Sequence, residues 1–101
     1  LKIVEMDETT AIGREIMLIK MRGDDSHRSA IMQHVEVFRA HIVDVNAEAV
    51  TIEVTGSREK LEAFVDVLRP YGIKEIVQSG VIALARGGRA IGDRAVRSTD
   101  R

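Results

Sequence analysis

Strand-like and helix-like apolar patterns alternate along this chain of 101 residues. The first pattern is REIMLIKMR, residues 14–22, an apolar run of strand length. It is followed by Gly23-Asp24-Asp25, a sequence that favours a turn. We therefore predict a first strand over residues 14–22.

Two later segments repeat apolar residues with a helical period. In the first, Ile31, Val35 and Phe38 lie at i, i+4 and i+7, which predicts a helix capped by Ser26 and continuing to about Ala40. The second segment begins after Gly56-Ser57, and Pro70 ends it because proline cannot continue a helix. Its apolar stripe consists of Leu61, Phe64, Val65 and Leu68.

Three more segments have strand patterns. His41 to Val45 is predicted to be extended, residues 46–49 to form a turn, and VTIEVT, residues 50–55, alternates apolar with polar residues. After the turn at Tyr71-Gly72, residues 73–79 supply a fourth strand. The order βαββαβ predicts an α+β, ferredoxin-like fold, a four-stranded antiparallel sheet with both helices on one face.

Two strand segments are apolar on both sides, which a sheet covered on one face does not require. These are the first strand and VIALA, residues 81–85, which follows a predicted bend or bulge at Gly80. We predict that both contribute to an intersubunit or interdomain contact, with a twofold homodimer as the expected assembly. The interface candidates are Ile16, Leu18, Ile82 and Leu84. The alternative, that residues 81–85 only lengthen the fourth strand, stays open.

Charge divides the chain unevenly. The net charge is −1, yet residues 86–101 hold five Arg against two Asp, or +3, which leaves −4 for residues 1–85. We predict a linker or strand remnant over residues 1–13, a ferredoxin-like domain over 14–86, and an Arg-rich, largely mobile tail over 87–101. The chain has no cysteine, and its apolar runs are far shorter than the roughly 20 residues of a membrane helix, so a soluble, cytoplasmic protein is expected.

Residues that could support chemistry have simpler structural explanations. His27, His34 and His41 are seven residues apart, and seven helical residues rise about 10.5 Å, too far for two histidines to share one ion. They are predicted to be solvent-facing. The serines occupy caps, turns, a helix surface or the tail, and Asp24-Asp25 is interpreted as a solvated turn. We predict no catalytic, cofactor-binding or metal-binding residue.

Nucleic-acid binding is the stronger rival, because an Arg-rich tail could neutralise phosphates. The remainder of the chain is acidic, however, and aromatic residues make up only 3% of the sequence. Both phenylalanines belong to predicted helix stripes, so no platform for base stacking remains. A solvated tail is the preferred interpretation.

Several pieces of the sequence together resemble a known family. REIMLIKM (14–21), VEVFRAHIVDV (35–45), TIEVTG (51–56), KLEAF (60–64) and LRPYGIKEIVQSGVIALARG (68–87) are similar to the C-terminal domain of the small, regulatory subunit of acetohydroxyacid synthase, also called acetolactate synthase. The family usually has an acidic residue where Gly13 stands. The resemblance extends from about residue 14 to residue 87.

The resemblance implies a non-catalytic role in branched-chain amino acid biosynthesis. The partner is the large catalytic subunit, which carries thiamine diphosphate, Mg and FAD, so no cofactor is expected in this chain. The small subunit activates the large one and conveys feedback by valine, which binds in an N-terminal ACT domain; residues 2–6 are at most a remnant of that domain. We therefore expect no valine binding by this chain alone. The alternative is a free-standing sensor that binds a small ligand or metal at a dimer interface.

Overall fold

The computed structural model describes residues 10–23 and 25–88. Its strands are β1 (Ala11–Arg22), β2 (His41–Val45), β3 (Ala49–Gly56), β4 (Ile73–Gln78) and β5 (Ile82–Ala85), and its helices are α1 (Asp25–Val37) and α2 (Arg58–Leu68). A short 3₁₀ turn, Arg69–Tyr71, follows α2. The chain divides into two compact units, residues 14–81 and residues 1–13 with 82–101, which are described separately.

The larger unit, residues 14–81, contains an antiparallel sheet with the strand order β2-β3-β1-β4. In the centre of this sheet, Ile19 of β1 is opposite Ile52 of β3 on one side and Ile76 of β4 on the other. This topology, with one helix after β1 and one after β3, confirms the predicted ferredoxin-like α+β fold. β1 therefore lies between β3 and β4 and pairs with both.

The hydrophobic core lies between one face of the sheet and the two helices. Met17, Ile19 and Met21 of β1 are buried on this face, as their alternation in the sequence predicts. The same core includes Ile31 and Val35 of α1, Val50, Ile52 and Val54 of β3, and Leu61, Phe64, Val65 and Leu68 of α2. Burying one such side chain contributes about 1.5–3 kcal/mol relative to leaving it in water, so this face is the main source of stability.

Helix α2 begins and ends as its sequence predicts. The backbone N–H of Lys60 donates to Oγ of Ser57 at 3.3 Å, which makes Ser57 the N-cap. Pro70 stands in the 3₁₀ turn that ends the helix, and Gly72 follows with a φ of 90°, in the left-handed region that favours glycine. These local signals position the apolar stripe of α2 over the sheet.

Helix α1 differs from its prediction at both ends. It spans Asp25–Val37, so Ser26 lies in its first turn and is not the cap, and the helix stops before Ala40. Arg39 has a φ of 56°, a left-handed conformation that ends an α-helix, and the N–H of Ala40 donates to the carbonyl of Val35 at 2.8 Å. Phe38 lies outside the helix but still packs against the core.

The smaller unit is described through residues 10–13 and 82–88. β5 pairs with β1, and the N–H of Arg86 donates to the carbonyl of Thr10 at 2.9 Å. β1 starts at Ala11, so residues 11–13, predicted to be part of a linker or strand remnant, belong to a strand. The predicted strand remnant at residues 2–6 and most of the predicted tail lie outside the described residues.

The sequence left open whether residues 81–85 form an interface strand or only lengthen the fourth strand, and the segment between β4 and β5 separates these two strands. β4 ends at Gln78, and Gly80 has a φ of 86°, which favours glycine because a side chain is strained there. A bend at Gly80 was predicted, and residues 82–85 form a separate strand that pairs with β1 of the same chain.

Within the described residues, no helix is both long and apolar enough to span a membrane.

Candidate functional site

The face of the sheet opposite the helices carries exposed apolar side chains in the larger unit. Ile16, Leu18 and Val77 are 43%, 41% and 55% exposed. Leu18 is directly opposite Val77 in the pairing of β1 with β4, and Ile16 lies two residues along β1 on the same face. We call these three residues the apolar patch. Contiguous exposed apolar residues of this kind commonly mark an interaction surface.

Backbone hydrogen bonds hold the edge of this patch in place. The N–H of Ser79 donates to the carbonyl of Ile16 at 3.0 Å, and the N–H of Ile16 donates to Oγ of Ser79 at 3.0 Å. This reciprocal pair joins the end of β4 to β1 beyond the last regular ladder pair, Met17 with Gln78. Ile16 and Leu18 therefore lie on a part of β1 that is paired on both sides, and Val77 lies on the adjoining strand β4.

Polar residues surround the apolar patch on the same face. Glu53 is opposite Leu18 and Thr55 is opposite Ile16 on β3. Lys20 is opposite Glu75 on β4, and their side chains form an ion pair of 3.6 Å. An apolar centre with a polar rim is the usual anatomy of a protein–protein interface.

The other two predicted interface residues belong to the smaller unit. Ile82 and Leu84 of β5 are both more than two-thirds exposed, at 73% and 71%, whereas Ala83 and Ala85 between and after them are half-buried. β5 thus pairs its backbone within the chain and leaves its large apolar side chains in solvent. The interface role of all four candidates stays a prediction.

The predicted solvent-facing histidines of α1 are in fact half-buried against one aromatic ring. The ring of Tyr71 lies 5.4 Å from that of His27 and 5.8 Å from that of His34, measured between centroids. Their shared helix face was predicted, whereas the 3₁₀ turn that brings Tyr71 to it was not, so both histidines are only partly exposed to solvent. His41 is exposed on β2. Among residues 10–23 and 25–88, no three His, Cys, Asp or Glu residues are grouped as metal ligands.

A groove that the sequence analysis missed lies beside α2, within residues 14–81. Its volume is about 710 Å³, and its lining includes Met17, Leu61, Val65 and Ile76 together with the charged residues Glu15 and Arg58. Glu15 is only 4% exposed. Its burial could have been predicted from the sequence, because Glu15 lies two residues before Met17 and therefore on the same, buried face of β1.

Comparison with known proteins identifies the family. A family model described as the small subunit of acetolactate synthase matches residues 14–87. The chain belongs to this family. The acetolactate synthase small subunit of Mycolicibacterium smegmatis is 53% identical over 92 residues, which cover 91% of this chain and 54% of that protein. That of Bacillus subtilis is 41% identical over 87 residues, which cover 86% of this chain and 51% of that protein.

A solved structure supports the same family assignment. The crystal structure of the acetolactate synthase small subunit from Thermotoga maritima superposes with a TM-score of 0.74 at 39% identity, over 81% of this chain and 50% of that chain. The resemblance found in the sequence is therefore confirmed. The chain spans about half the length of the small subunits that it matches.

Proposed function

We propose that this chain acts as a non-catalytic regulatory and assembly domain of an acetolactate synthase small subunit. The family match over residues 14–87 supports the regulatory role. The observation that carries the assembly role is the apolar patch of Ile16, Leu18 and Val77, which is exposed on the helix-free face of the sheet. Three apolar side chains held in water on paired strands gain stability when a second surface covers them.

The proposed partner in function is the large catalytic subunit, which this domain helps to activate in branched-chain amino acid biosynthesis. The chemistry that depends on thiamine diphosphate, Mg and FAD is assigned to that subunit, and the proposal assigns none of these groups to this chain. Valine feedback is conveyed through the domain and is not sensed by it alone.

The proposed occupant of the apolar patch is a second copy of this chain. A twofold pairing brings the same patch from each copy into contact, so that Leu18 of one chain meets apolar residues of the other. The Lys20–Glu75 pair and the row of Glu53 and Thr55 then form a solvated rim. Ile82 and Leu84, in the smaller unit, are further exposed apolar side chains that the chain offers for assembly.

The functional proposal is tested by mixing the chain with its cognate large subunit and measuring complex formation together with acetolactate production. We expect a stable complex, partial activation, no acetolactate production by the chain alone, and no effect of valine in the absence of the remaining small subunit. A folded chain that neither binds nor activates the large subunit contradicts the proposal. A metabolite or metal that copurifies with the chain favours the free-standing sensor instead.

A further inference from the structure

The groove beside α2 combines an apolar floor with one enclosed charge. Met17 and Ile76 come from the sheet, and Leu61 and Val65 from the helix. Glu15 closes one end, on the same face of β1 as Met17. The volume of about 710 Å³ is within the range of binding sites, and all of the lining belongs to the unit of residues 14–81.

The carboxylate of Glu15 is poorly compensated for its burial. Its one side-chain partner among the described residues is Arg58, whose Nε lies 3.9 Å from Oε2, beyond hydrogen-bond distance. The Arg58 side chain is 72% exposed, whereas the Glu15 side chain is 4% exposed. Burying a carboxylate is costly unless a cation and hydrogen bonds satisfy it, so this group favours a closer cationic partner.

The carboxylate opens on the groove rather than being sealed in the core. Within residues 10–23 and 25–88, no enclosed side-chain nitrogen or oxygen lacks a hydrogen-bond partner. Since Arg58 is too distant to be such a partner, the oxygens of Glu15 must reach the space of the groove. A donor that enters the groove can therefore approach them directly.

The groove borders a strand with one free edge. In the described sheet, β4 pairs with β1 on one side and has no strand on the other. Ile76 and Gln78 of β4 also line the groove. A strand added to this edge would form backbone hydrogen bonds with β4 and would direct alternate side chains over the groove.

We infer that this groove is a docking site for an extended protein segment that pairs with β4 and inserts an arginine or lysine side chain toward Glu15. The inserted cation replaces the distant Arg58 as the partner of the carboxylate and donates hydrogen bonds to it. Its aliphatic stem lies on Met17 and Ile76. The inference does not rest on the proposed function, and it concerns a different surface from the apolar patch.

The test is a titration of the full chain, followed by amide NMR spectra, with the peptide acetyl-Thr-Val-Arg-Val-Thr-amide. The matched control replaces the arginine of the peptide by glutamine, and methylguanidinium serves as the isolated cation. We expect saturable shifts at Glu15 and at residues 78–80 with the arginine peptide, and binding at least about tenfold weaker for the glutamine peptide and for methylguanidinium.

Three variants decide which groups of the protein are responsible. Glu15→Gln should weaken binding of the arginine peptide by at least about tenfold, and Arg58→Gln should strengthen it because the competing cation is removed. Glu62→Gln, at a more exposed carboxylate of the same groove, should change binding by less than about fivefold.

The outcomes that overturn the inference are equally specific. Equal binding of the arginine and glutamine peptides, or unchanged binding to Glu15→Gln, removes the cation site. Methylguanidinium that binds as tightly as the peptide removes the docked strand. If Glu15→Gln loses its native spectrum, Arg58→Gln decides, because a failure to bind the peptide more tightly than the unaltered chain contradicts the role of Glu15.

Discussion

Leu18 and Ile19 are neighbours of similar size on β1, yet they face opposite sides of the same sheet. Ile19 is 0% exposed beneath the two helices, whereas Leu18 is 41% exposed on the face that neither α1 nor α2 covers. The strand and its backbone pairing are common to both residues, so the difference arises from what covers each face. The covered face stabilises the fold, and the open face exposes apolar surface that we propose serves assembly.

Phe64→Ala should cause the largest loss of stability, because Phe64 anchors the covered face. Its side chain is 0% exposed and its ring lies 4.9 Å from that of Phe38. Truncation removes buried surface and leaves a cavity, so we expect the free energy of unfolding to fall by about 3–5 kcal/mol. Denaturant titration measures it, and a loss below about 1 kcal/mol would mean that α2 does not form the cover.

Ile19→Ala and Leu18→Ala form a matched pair that compares the two faces directly. We expect Ile19→Ala to cost about 2–5 kcal/mol because it opens a cavity in the core. Leu18→Ala should cost less than about 1 kcal/mol, since its side chain is already partly in water. Both are measured by denaturant titration at concentrations that keep the chain monomeric. Equal losses would show that the two faces do not differ in their contribution.

Ser57→Ala should have a smaller effect that also acts through the cover. It removes the hydrogen bond from the N–H of Lys60 to Oγ of Ser57 and leaves the first turn of α2 without its cap. The expected loss in the free energy of unfolding is about 1 kcal/mol. The conservative variant Ser57→Asp retains an N-cap acceptor and should recover most of this loss. If Ser57→Asp is no more stable than Ser57→Ala, the contribution of Ser57 to stability does not come from N-capping.

The sequence predicted the fold because its local signals agree with the tertiary structure. Period-two alternation separates Met17, Ile19 and Met21, which are buried, from Ile16 and Leu18 on the other side of β1, and the signals at Ser57 and Pro70 located α2. The start of α1 was misplaced because Asp24, Asp25 and Ser26 are all good capping residues and the pattern does not choose among them.

The candidate sites were predicted only in part, for a physical reason. The exposed side chains of Ile16 and Leu18 follow from alternation along one strand, which is local information. The groove depends on the distance between α2 and β4, and the setting of His27 and His34 depends on Tyr71, distant in sequence. Glu15 was not predicted to be buried, because the faces of the first strand were identified from apolar residues alone and a carboxylate does not follow that signal.

The central claim, that the open face serves assembly, is tested most directly by sedimentation equilibrium of the full chain at tens of micromolar. The account predicts a dimer for the unaltered chain and a shift toward monomer for Leu18→Thr. It also predicts an unchanged dimer for Val45→Thr, because Val45 is 46% exposed on β2 but lies outside the apolar patch. A strictly monomeric unaltered chain, or a Leu18→Thr variant as dimeric as Val45→Thr, would contradict it.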